Sequence, residues 1–260
     1  MSREEYGGVQ AAYYDSYFTG VPGDVEFYLE VARGSGALGV LELGCGTGRT
    51  LLPIAAAGIA SVGLERAPEV LAMCAAKVAA AGLAEQVELV SADMREFSLD
   101  RQFSLVIAPY RTFQHLLTIQ DQKAALDCIY RHLVPGGLFV LNVFDPLRDL
   151  AQRAWEEGEG VESEKDAEFV DPNSGQVVEV WFKRTYDLLQ QLLLQEFTFR
   201  RLTDDGPVDE SATLTMRYAH RYEMAHLLEA QSFHIKGLYG GFAGQPYRGY
   251  GEQIWIAERS

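Results

Sequence analysis

A glycine-rich turn at residues 44–48, with the sequence GCGTG, is the stretch of the chain that points most directly to chemistry. It lies between two apolar runs, a pattern typical of a strand, a tight turn and a helix. Glycines allow a sharp backbone turn and let a ligand approach the amides at the start of the helix. Arg49 stands where a dinucleotide fingerprint needs a small residue, and no Gly-Lys-Ser/Thr follows. The turn therefore predicts a ligand site, but neither of these two common kinds.

Three acidic residues accompany the turn. Glu42 lies two residues before Gly44, and Glu65 ends the next apolar run, 21 residues after Gly44. A carboxylate at the position of Glu65 can accept hydrogen bonds from both hydroxyls of a ribose. Asp93 follows the third apolar run, where an acid can accept a hydrogen bond from the amino group of adenine. The pattern favours an adenosine-containing ligand.

The first half of the chain alternates short apolar runs with amphipathic stretches. The predicted strands are Leu38–Leu43, Ser61–Leu64, Val87–Val90, Phe103–Ala108 and Leu138–Phe144. The predicted helices between them are Leu51–Ala57, Glu69–Ala81 and Asp121–Leu133, the last ending at a Pro-Gly-Gly turn at 135–137. Apolar strands alternating with helices predict a parallel sheet that is covered on both faces.

The second half begins with a different pattern. Residues 151–172 are rich in acids and predict an exposed connection. Three antiparallel strands are expected next, at Val177–Asp187, Gln191–Leu202 and Thr213–Tyr218. The α/β pattern then returns with a helix at Tyr222–Gln231 and strands at His234–Tyr239 and Gln253–Glu258.

These elements predict an α/β, Rossmann-like fold. We expect a seven-stranded, mostly parallel sheet with helices on both faces, and an antiparallel sheet inserted after the fifth strand. The expected division is an N-terminal capping segment (1–35), a cofactor-binding core (36–150), the inserted sheet as substrate cover (151–220) and the end of the core (221–260).

The order of the glycine turn, the acids and the Pro-Gly-Gly turn resembles the class I S-adenosylmethionine-dependent methyltransferases over about residues 36–145. The resemblance implies S-adenosyl-L-methionine as cofactor. The glycine turn would pass along its methionine part, with the backbone near Ala108 and Pro109 meeting the methionine amine. Glu65 would hold the ribose, and Asp93 with the Met94 amide would read the adenine. The implied cofactor-binding residues are Glu42, Gly44, Cys45, Gly46, Gly48, Glu65, Arg66, Asp93, Met94, Ala108 and Tyr14.

The segment after the fifth predicted strand is similar to that of small-molecule N-methyltransferases, including those that act on nucleotide-linked amino sugars. In such enzymes the insertion helps to form a substrate cover. The tyrosine-rich stretch at residues 13–18 is similar to their capping segment.

Candidate acceptor residues follow from the topology, because ligands of open α/β sheets lie beyond the carboxyl ends of the parallel strands. Tyr110, Arg111 and His115 follow the fourth strand and are predicted to be catalytic; Tyr247 and Arg248 follow the sixth. If the chain is helical from Thr112 onward, Arg111 and His115 share one helix face. A hydroxyl acceptor needs a general base, for which His115 is the candidate, whereas an amine need only be neutral. Equally, His115 fits a structural role and Arg111 a solvated one.

Charge and composition narrow the partners. The chain has 22 Lys and Arg against 37 Asp and Glu, a formal net charge of −15. A surface this acidic repels phosphate backbones, which argues against nucleic acid or an anionic membrane as partner. Ile107 and Ala108 also replace the polar residue and first proline of the signature for amino methylation of nucleic-acid bases. No metal site is expected from the sequence.

The three cysteines indicate reduced thiols, and the acids in the first thirty residues do not fit a secretory signal, so we expect a cytoplasmic protein. The expected oligomeric state is a monomer or a homodimer. The predicted function is transfer of a methyl group from S-adenosylmethionine to a nitrogen or oxygen of a small molecule, by in-line displacement. The alternatives are an inactive S-adenosylmethionine-binding protein and, less favoured, a nucleic-acid methyltransferase or a nicotinamide oxidoreductase.

Overall fold

The computed structural model describes residues 6–153 and 163–260. Part of the acidic connection and the first five residues of the capping segment lie outside the described residues. The α-helices of the described chain are α1 (Val9–Ala12), α2 (Tyr14–Tyr17), α3 (Asp24–Gly34), α4 (Leu51–Ala56), α5 (Pro68–Ala80), α6 (Ile119–His132), α7 (Leu147–Arg153) and α8 (Arg221–Ala230). The strands are β1 (Val40–Leu43), β2 (Ser61–Glu65), β3 (Val87–Ser91), β4 (Phe103–Ala108), β5 (Leu133–Asp145), β6 (Glu164–Val170), β7 (Val177–Asp187), β8 (Leu192–Thr203), β9 (Gly206–Arg217), β10 (Phe233–Tyr239) and β11 (Gly251–Arg259).

The larger sheet confirms the predicted fold class. Its seven strands lie in the order β10-β11-β5-β4-β1-β2-β3. The pairs among β1 to β5 are parallel, whereas β11 runs antiparallel to both β5 and β10. Every residue of β1 and β4 is buried, which explains why these strands are apolar runs without alternation. The carboxyl ends of β1, β2 and β4 consequently meet at one edge of the sheet.

The second sheet is antiparallel and has four strands, in the order β6-β7-β8-β9, where the sequence predicts three. The additional strand β6 lies in the segment that the sequence predicts to be an exposed connection. Its charged residues face water, while Ala167 and Phe169 pack on the core of this sheet. Strand β9 also begins earlier than predicted, at Gly206, because its exposed first half pairs with β8 up to Thr203. An edge strand with one solvated face carries few apolar residues and so gives a weak signal in the sequence.

The segment after β4 differs from the prediction. Instead of an α-helix from Thr112 onward, the chain makes one 3-10 helix, Thr112–His115. Arg111 precedes it with a left-handed backbone, φ 67°. The expectation that Arg111 and His115 share one face of an α-helix is therefore wrong.

Strand β5 begins at Leu133, five residues earlier than predicted, and includes the Pro-Gly-Gly stretch. Its pairing with β4 shifts register between Phe103 and Leu105, because the extra residues after Leu133 have no partner on β4. The turn signal at 135–137 thus marks an irregularity within a strand.

Two of the hydrophobic clusters of the described chain contribute residues to the wall of the ligand site. The first lies along the parallel sheet and includes Leu41, Phe139 and Trp255. The second joins the antiparallel sheet to the N-terminal segment, where Tyr13 lies 5.4 Å from Phe199, ring centre to ring centre. The N-terminal segment and the antiparallel sheet thus form one packed unit.

Candidate functional site

A cavity of about 660 Å³ opens at the carboxyl ends of β1, β2 and β4. The N-terminal segment and strands β8 and β9 supply the rest of its wall. Two groups of lining residues matter for chemistry. We call them the acidic wall (Glu42, Glu65, Asp93) and the aromatic wall (Tyr6, Phe18, Tyr110, His115).

The glycine turn has the backbone that its sequence predicts. Gly44, Gly46 and Gly48 all lie in the left-handed region, at φ 60°, 57° and 88°. A Cβ atom at Gly44 would lie 2.6 Å from Cγ2 of Thr112, and one at Gly46 would lie 2.7 Å from the Tyr14 hydroxyl. Glycine is needed here because other residues strain in this conformation and because the chain packs closely around the turn.

Glu65 is fixed by three backbone amides. Its Oε2 accepts a hydrogen bond from Gly46 N at 3.1 Å, and its Oε1 accepts from Arg66 N at 2.7 Å and Ala67 N at 2.8 Å. A carboxylate offers about four acceptor positions, so it can accept further bonds from a ligand. The contact with Gly46 joins the end of β2 to the glycine turn, and the two parts of the predicted ligand site form one rigid surface.

Asp93 has partners that the sequence does not indicate. Its Oδ1 accepts hydrogen bonds from Arg95 N at 3.0 Å and Arg95 Nε at 2.8 Å, and Arg95 also pairs with Asp121 at 2.7 Å. Burial alone would raise the pKa of the Asp93 carboxyl, but the bonds from Arg95 bring it below its usual value. Asp93 is therefore a charged group held in place beside Met94, which also lines the cavity.

The burial and hydrogen bonding of Glu42 show whether the site fits the predicted cofactor. It lines the cavity, is 3% exposed, and its Oε2 has no hydrogen-bond partner within the described chain. Burial raises the pKa of this carboxyl well above its usual value, although the charge of Arg49 opposes the shift. A buried acid without a partner is stabilised by a cation. The site therefore fits a ligand that carries an ammonium group, as the methionine part of S-adenosylmethionine does.

Most, but not all, of the predicted cofactor residues line this cavity. Those that do are Glu42, Gly44, Cys45, Glu65, Arg66, Asp93, Met94 and Tyr14. Among the described residues that border it, Gly46, Gly48 and Ala108 are missing. Ala108 is wholly buried, and a Cβ at Gly48 would meet Leu52 and Cys74 rather than open space. Gly46 and Gly48 shape the turn without bordering the cavity.

His115 lies on the aromatic wall, next to Tyr6. The Tyr6 hydroxyl lies 3.3 Å from His115 Nε2, and the two rings meet edge to face with centres 5.6 Å apart. Burial lowers the pKa of His115 to about 4, and the charge of Arg66 acts in the same direction. The imidazole is therefore neutral at neutral pH.

Arg111 does not join its predicted neighbours. Tyr110 and His115 border the cavity, but Arg111 does not, among the residues that the structure describes. Its Nε donates to Oε1 of Glu252 at 3.1 Å, and its guanidinium stacks on the ring of Phe144 at 4.8 Å. The left-handed backbone turns the side chain toward β11.

Tyr247 and Arg248, the other acceptor candidates, are likewise not part of the described cavity wall. The Tyr247 hydroxyl donates instead to Oδ2 of the buried Asp145 at 2.6 Å. The loop that carries both residues therefore docks on the end of β5.

Several lining residues are not predicted from the sequence. They are Tyr6, Phe18, Thr47, Arg49, Thr50, Leu64, Ala67, Ala92, Arg95, Thr112, Leu116, Leu117, Thr118, Asp121, Leu192, Leu214 and Thr215. Leu192, Leu214 and Thr215 come from β8 and β9 and belong to no sequence motif. Tyr6 stands in the predicted capping segment, and the tyrosine-rich composition of that segment is the only signal that points to it.

Within residues 6–153 and 163–260, no three His, Cys, Asp or Glu side chains are grouped as a metal ion would require. The helices of the same residues include none with the length and apolar character needed to cross a membrane.

Residues 40–137 match a family model that is described as a methyltransferase domain. The chain is also 28% identical, over 217 residues, to the cypemycin N-terminal methyltransferase of a Streptomyces species. That alignment covers 84% of this chain and 81% of the relative.

Solved structures share the fold along the whole chain. The CcbJ methyltransferase from Streptomyces caelestis superposes with a TM-score of 0.80 at 23% identity, covering 100% of both chains. CalS10 from Micromonospora echinaspora, an amino pentose methyltransferase solved with S-adenosylmethionine bound, superposes with a TM-score of 0.71 at 22% identity, covering 99% of each chain. At these identities the likeness establishes the fold, including the inserted antiparallel sheet.

Proposed function

We propose that the acceptor of this S-adenosylmethionine-dependent methyltransferase, whose methyltransferase domain lies at residues 40–137, is an amine nitrogen of a small molecule. The enzyme class and the cofactor were both predicted from the sequence, and both predictions are confirmed. The choice of nitrogen over oxygen is supported by the chemistry of the aromatic wall.

The observation that carries the proposal is the setting of His115 on the aromatic wall, where its Nε2 lies 3.3 Å from the Tyr6 hydroxyl and burial lowers its pKa. A hydroxyl acceptor needs a general base to take its proton, and the best base has a pKa close to the working pH. With a pKa of about 4, His115 is too weak a base for that task near pH 7. An amine in its neutral form already presents a lone pair and needs no base before transfer.

The other members of the aromatic wall suit an amine. Tyr6, Phe18 and Tyr110 present rings to the cavity, and Leu214 of the antiparallel sheet adds an apolar contact. Aromatic faces attract the positive charge that develops on nitrogen during methylation. The same side chains exclude water and hold the acceptor in one orientation, which accelerates a displacement.

We assign the cofactor to the acidic wall. When bound there, S-adenosylmethionine would supply an electrophilic methyl group: the nitrogen–carbon bond would form as the carbon–sulfur bond breaks, leaving S-adenosylhomocysteine, and the methylated amine would release its proton afterwards. Glu65 accepts the ribose hydroxyls, Asp93 and the Met94 amide face the adenine, and Glu42 receives the methionine ammonium. The glycine turn lies along the methionine part.

The named relatives support nitrogen as the acceptor atom. One is named the cypemycin N-terminal methyltransferase, and another is described as an amino pentose methyltransferase. The formal net charge of −15 supports a small molecule over nucleic acid. Location in the cytoplasm and a monomeric or homodimeric state remain predictions.

A matched screen tests the proposal. Purified protein is incubated with S-adenosylmethionine and pairs of acceptors that differ only at one atom: amino sugars against the parent sugars, and peptides with free against acetylated N-termini. We expect mass spectrometry to detect a gain of one methyl group on amine members only. Methylation of the hydroxyl or acetylated members at equal rates would contradict nitrogen as acceptor. Binding of S-adenosylhomocysteine without any turnover would favour the cofactor-binding alternative.

A further inference from the structure

The turn between β4 and the 3-10 helix has an unusual backbone. Tyr110 and Arg111 are neighbours, neither is glycine, and both lie in the left-handed region, at φ 51° and 67°. Side chains crowd the backbone in this region, so such residues persist only where the surrounding structure holds them. The contacts that hold this turn therefore decide where Tyr110 lies on the aromatic wall.

Asn142 supplies the first of these contacts. Its side chain comes from β5, and the residue is 0% exposed. Its Oδ1 accepts hydrogen bonds from the backbone N of Tyr110 at 2.8 Å and from the Tyr28 hydroxyl at 2.9 Å. The amide oxygen of Asn142 thus fixes the backbone at the first strained residue.

The nitrogen of the same amide reaches the second strained residue through Glu252. Asn142 Nδ2 donates to Oε2 of Glu252 at 2.8 Å, and Oε1 of Glu252 accepts from Arg111 Nε at 3.1 Å. Asn142 therefore needs both an acceptor and a donor, a combination that aspartate and apolar residues lack.

The turn that is held in this way contributes to the aromatic wall and contacts the glycine turn. Pro109, Tyr110 and Thr112 all line it. Thr112 also packs on the glycine turn, since its Cγ2 would lie 2.6 Å from a Cβ atom at Gly44. A shift of the turn would therefore move the aromatic wall relative to the glycine turn.

We propose that Asn142 is a positioning residue, which holds Tyr110 and Arg111 in their strained conformation and so sets the aromatic wall against the glycine turn. That Asn142 holds the turn follows from these contacts alone. Its effect on methyl transfer rests on the proposed function. Asn142 itself is not among the described residues that border the cavity.

The test exchanges donor and acceptor across the Asn142–Glu252 contact. Asn142→Asp keeps an acceptor for Tyr110 N but sets two carboxylates side by side, and like charges in a buried place repel strongly. Adding Glu252→Gln restores a donor opposite the new carboxylate and returns the pair to one negative charge. Glu258→Gln is the matched control, because Glu258 lies on the same strand and pairs with Lys236 away from the network.

Hydrogen exchange, read by mass spectrometry on peptides covering residues 108–116, is the primary measurement. We expect exchange in Asn142→Asp to be at least tenfold faster than in the wild type. In the double variant it should return to within threefold of the wild type, and Glu258→Gln should not change it. S-adenosylhomocysteine affinity, measured by calorimetry, should stay within threefold throughout. Transfer to an amine found in the screen should fall at least tenfold in Asn142→Asp and recover in the double variant.

Unchanged exchange in Asn142→Asp would overturn the proposal, and so would a double variant that exchanges as fast as the single one. If Asn142→Asp exchanges faster along its whole length, the double variant decides, since recovery supports the proposal and its absence refutes it. Normal exchange with slow transfer in Asn142→Asp would also refute it. Failure of the wild type to methylate any amine would count against the proposed function, while the exchange results still judge the role of Asn142.

Discussion

The acidic wall and the aromatic wall face the same cavity but are assembled from the chain in opposite ways. The acidic wall comes from three consecutive strand ends, and Glu65 contacts the backbone of Gly46, only 19 residues away. The aromatic wall joins distant parts, since the contact between Tyr6 and His115 spans 109 residues. The acidic wall belongs to the segment that matches the methyltransferase domain, whereas much of the aromatic wall comes from the N-terminal segment outside it.

This difference separates two kinds of evidence about function. A site built from neighbouring strand ends of a parallel sheet keeps its geometry whenever the sheet forms. A site built from distant segments varies with whatever is added to that sheet. The cofactor can therefore be recognised from motifs, whereas the acceptor depends on the residues that the N-terminal segment and the antiparallel sheet bring to the cavity.

The largest effect should come from filling the glycine turn where it packs against the segment that carries Tyr110 and His115 of the aromatic wall. Gly44→Ala places a methyl group 2.6 Å from Cγ2 of Thr112, at φ 60°. Left-handed strain of about 1–2 kcal/mol and overpacking of about 1–3 kcal/mol should both reduce the free energy of unfolding. Cofactor affinity should fall as well, because the turn must move.

Gly58→Ala provides the control for this substitution. Gly58 has φ 83°, but no described atom lies within 4 Å of its added Cβ. It should therefore show only the strain of about 1–2 kcal/mol in urea unfolding and keep the affinity for S-adenosylhomocysteine. Equal losses in both variants would mean that contact with Thr112 does not matter.

The next effect concerns Glu65. Glu65→Gln keeps one acceptor oxygen but replaces the other with a donor, which opposes either the amides of the turn or the ribose hydroxyls. A buried polar mismatch costs about 1–3 kcal/mol, so S-adenosylhomocysteine affinity should fall by roughly 5- to 150-fold in calorimetry. Glu88→Gln, an exposed acid on β3 that pairs with Arg101, serves as control. A dissociation constant equal to that of the wild type would refute the ribose assignment.

On the aromatic wall, His115→Asn should separate acceptor from cofactor. We expect transfer to an amine acceptor to fall by roughly tenfold, about 1.4 kcal/mol, with S-adenosylhomocysteine affinity nearly unchanged. Because the pKa of His115 is about 4, the wild-type turnover between pH 6 and 8 should show no ionisation of this group. A rate that depends on an imidazole ionising near pH 6.5, and that loses this dependence in His115→Asn, would indicate general base catalysis instead.

The smallest effect is expected at Glu42, as proton release. Burial raises the pKa of this carboxyl in the free protein, and a bound ammonium group would lower it again. Binding of S-adenosylhomocysteine should therefore release a proton, and the affinity should rise with pH above the ordinary glutamate value of about 4.3 until the raised pKa is passed.

Calorimetry in buffers of different ionisation enthalpy measures the released protons directly. Glu42→Gln should abolish the release, while the release from the Glu88→Gln variant should match the wild type. Proton uptake on binding, or a release that persists in Glu42→Gln, would contradict the assignment of Glu42 to the ammonium group.

The sequence by itself determined the parallel sheet, the glycine turn and the place of Glu65. Each depends on preferences that act over a few residues: apolar runs form buried strands, and glycine alone adopts left-handed turns without strain. Parallel pairing then places successive strand ends at one edge, so the order of the strands along the chain is enough to group Glu42, Glu65 and Asp93.

Only the tertiary structure decided which side chains complete the cavity. Arg111 follows the correct strand, yet it pairs with Glu252, 141 residues further along the chain. Its left-handed backbone makes this pairing possible, and because the residue is not a glycine the sequence gives no sign of that backbone. Asp93 is held by Arg95, which Asp121 holds in turn, and strand β6 gives little signal because only Ala167 and Phe169 face its core. The orientation of a side chain depends on partners brought together by the path of the whole chain, and local sequence preferences do not encode that path.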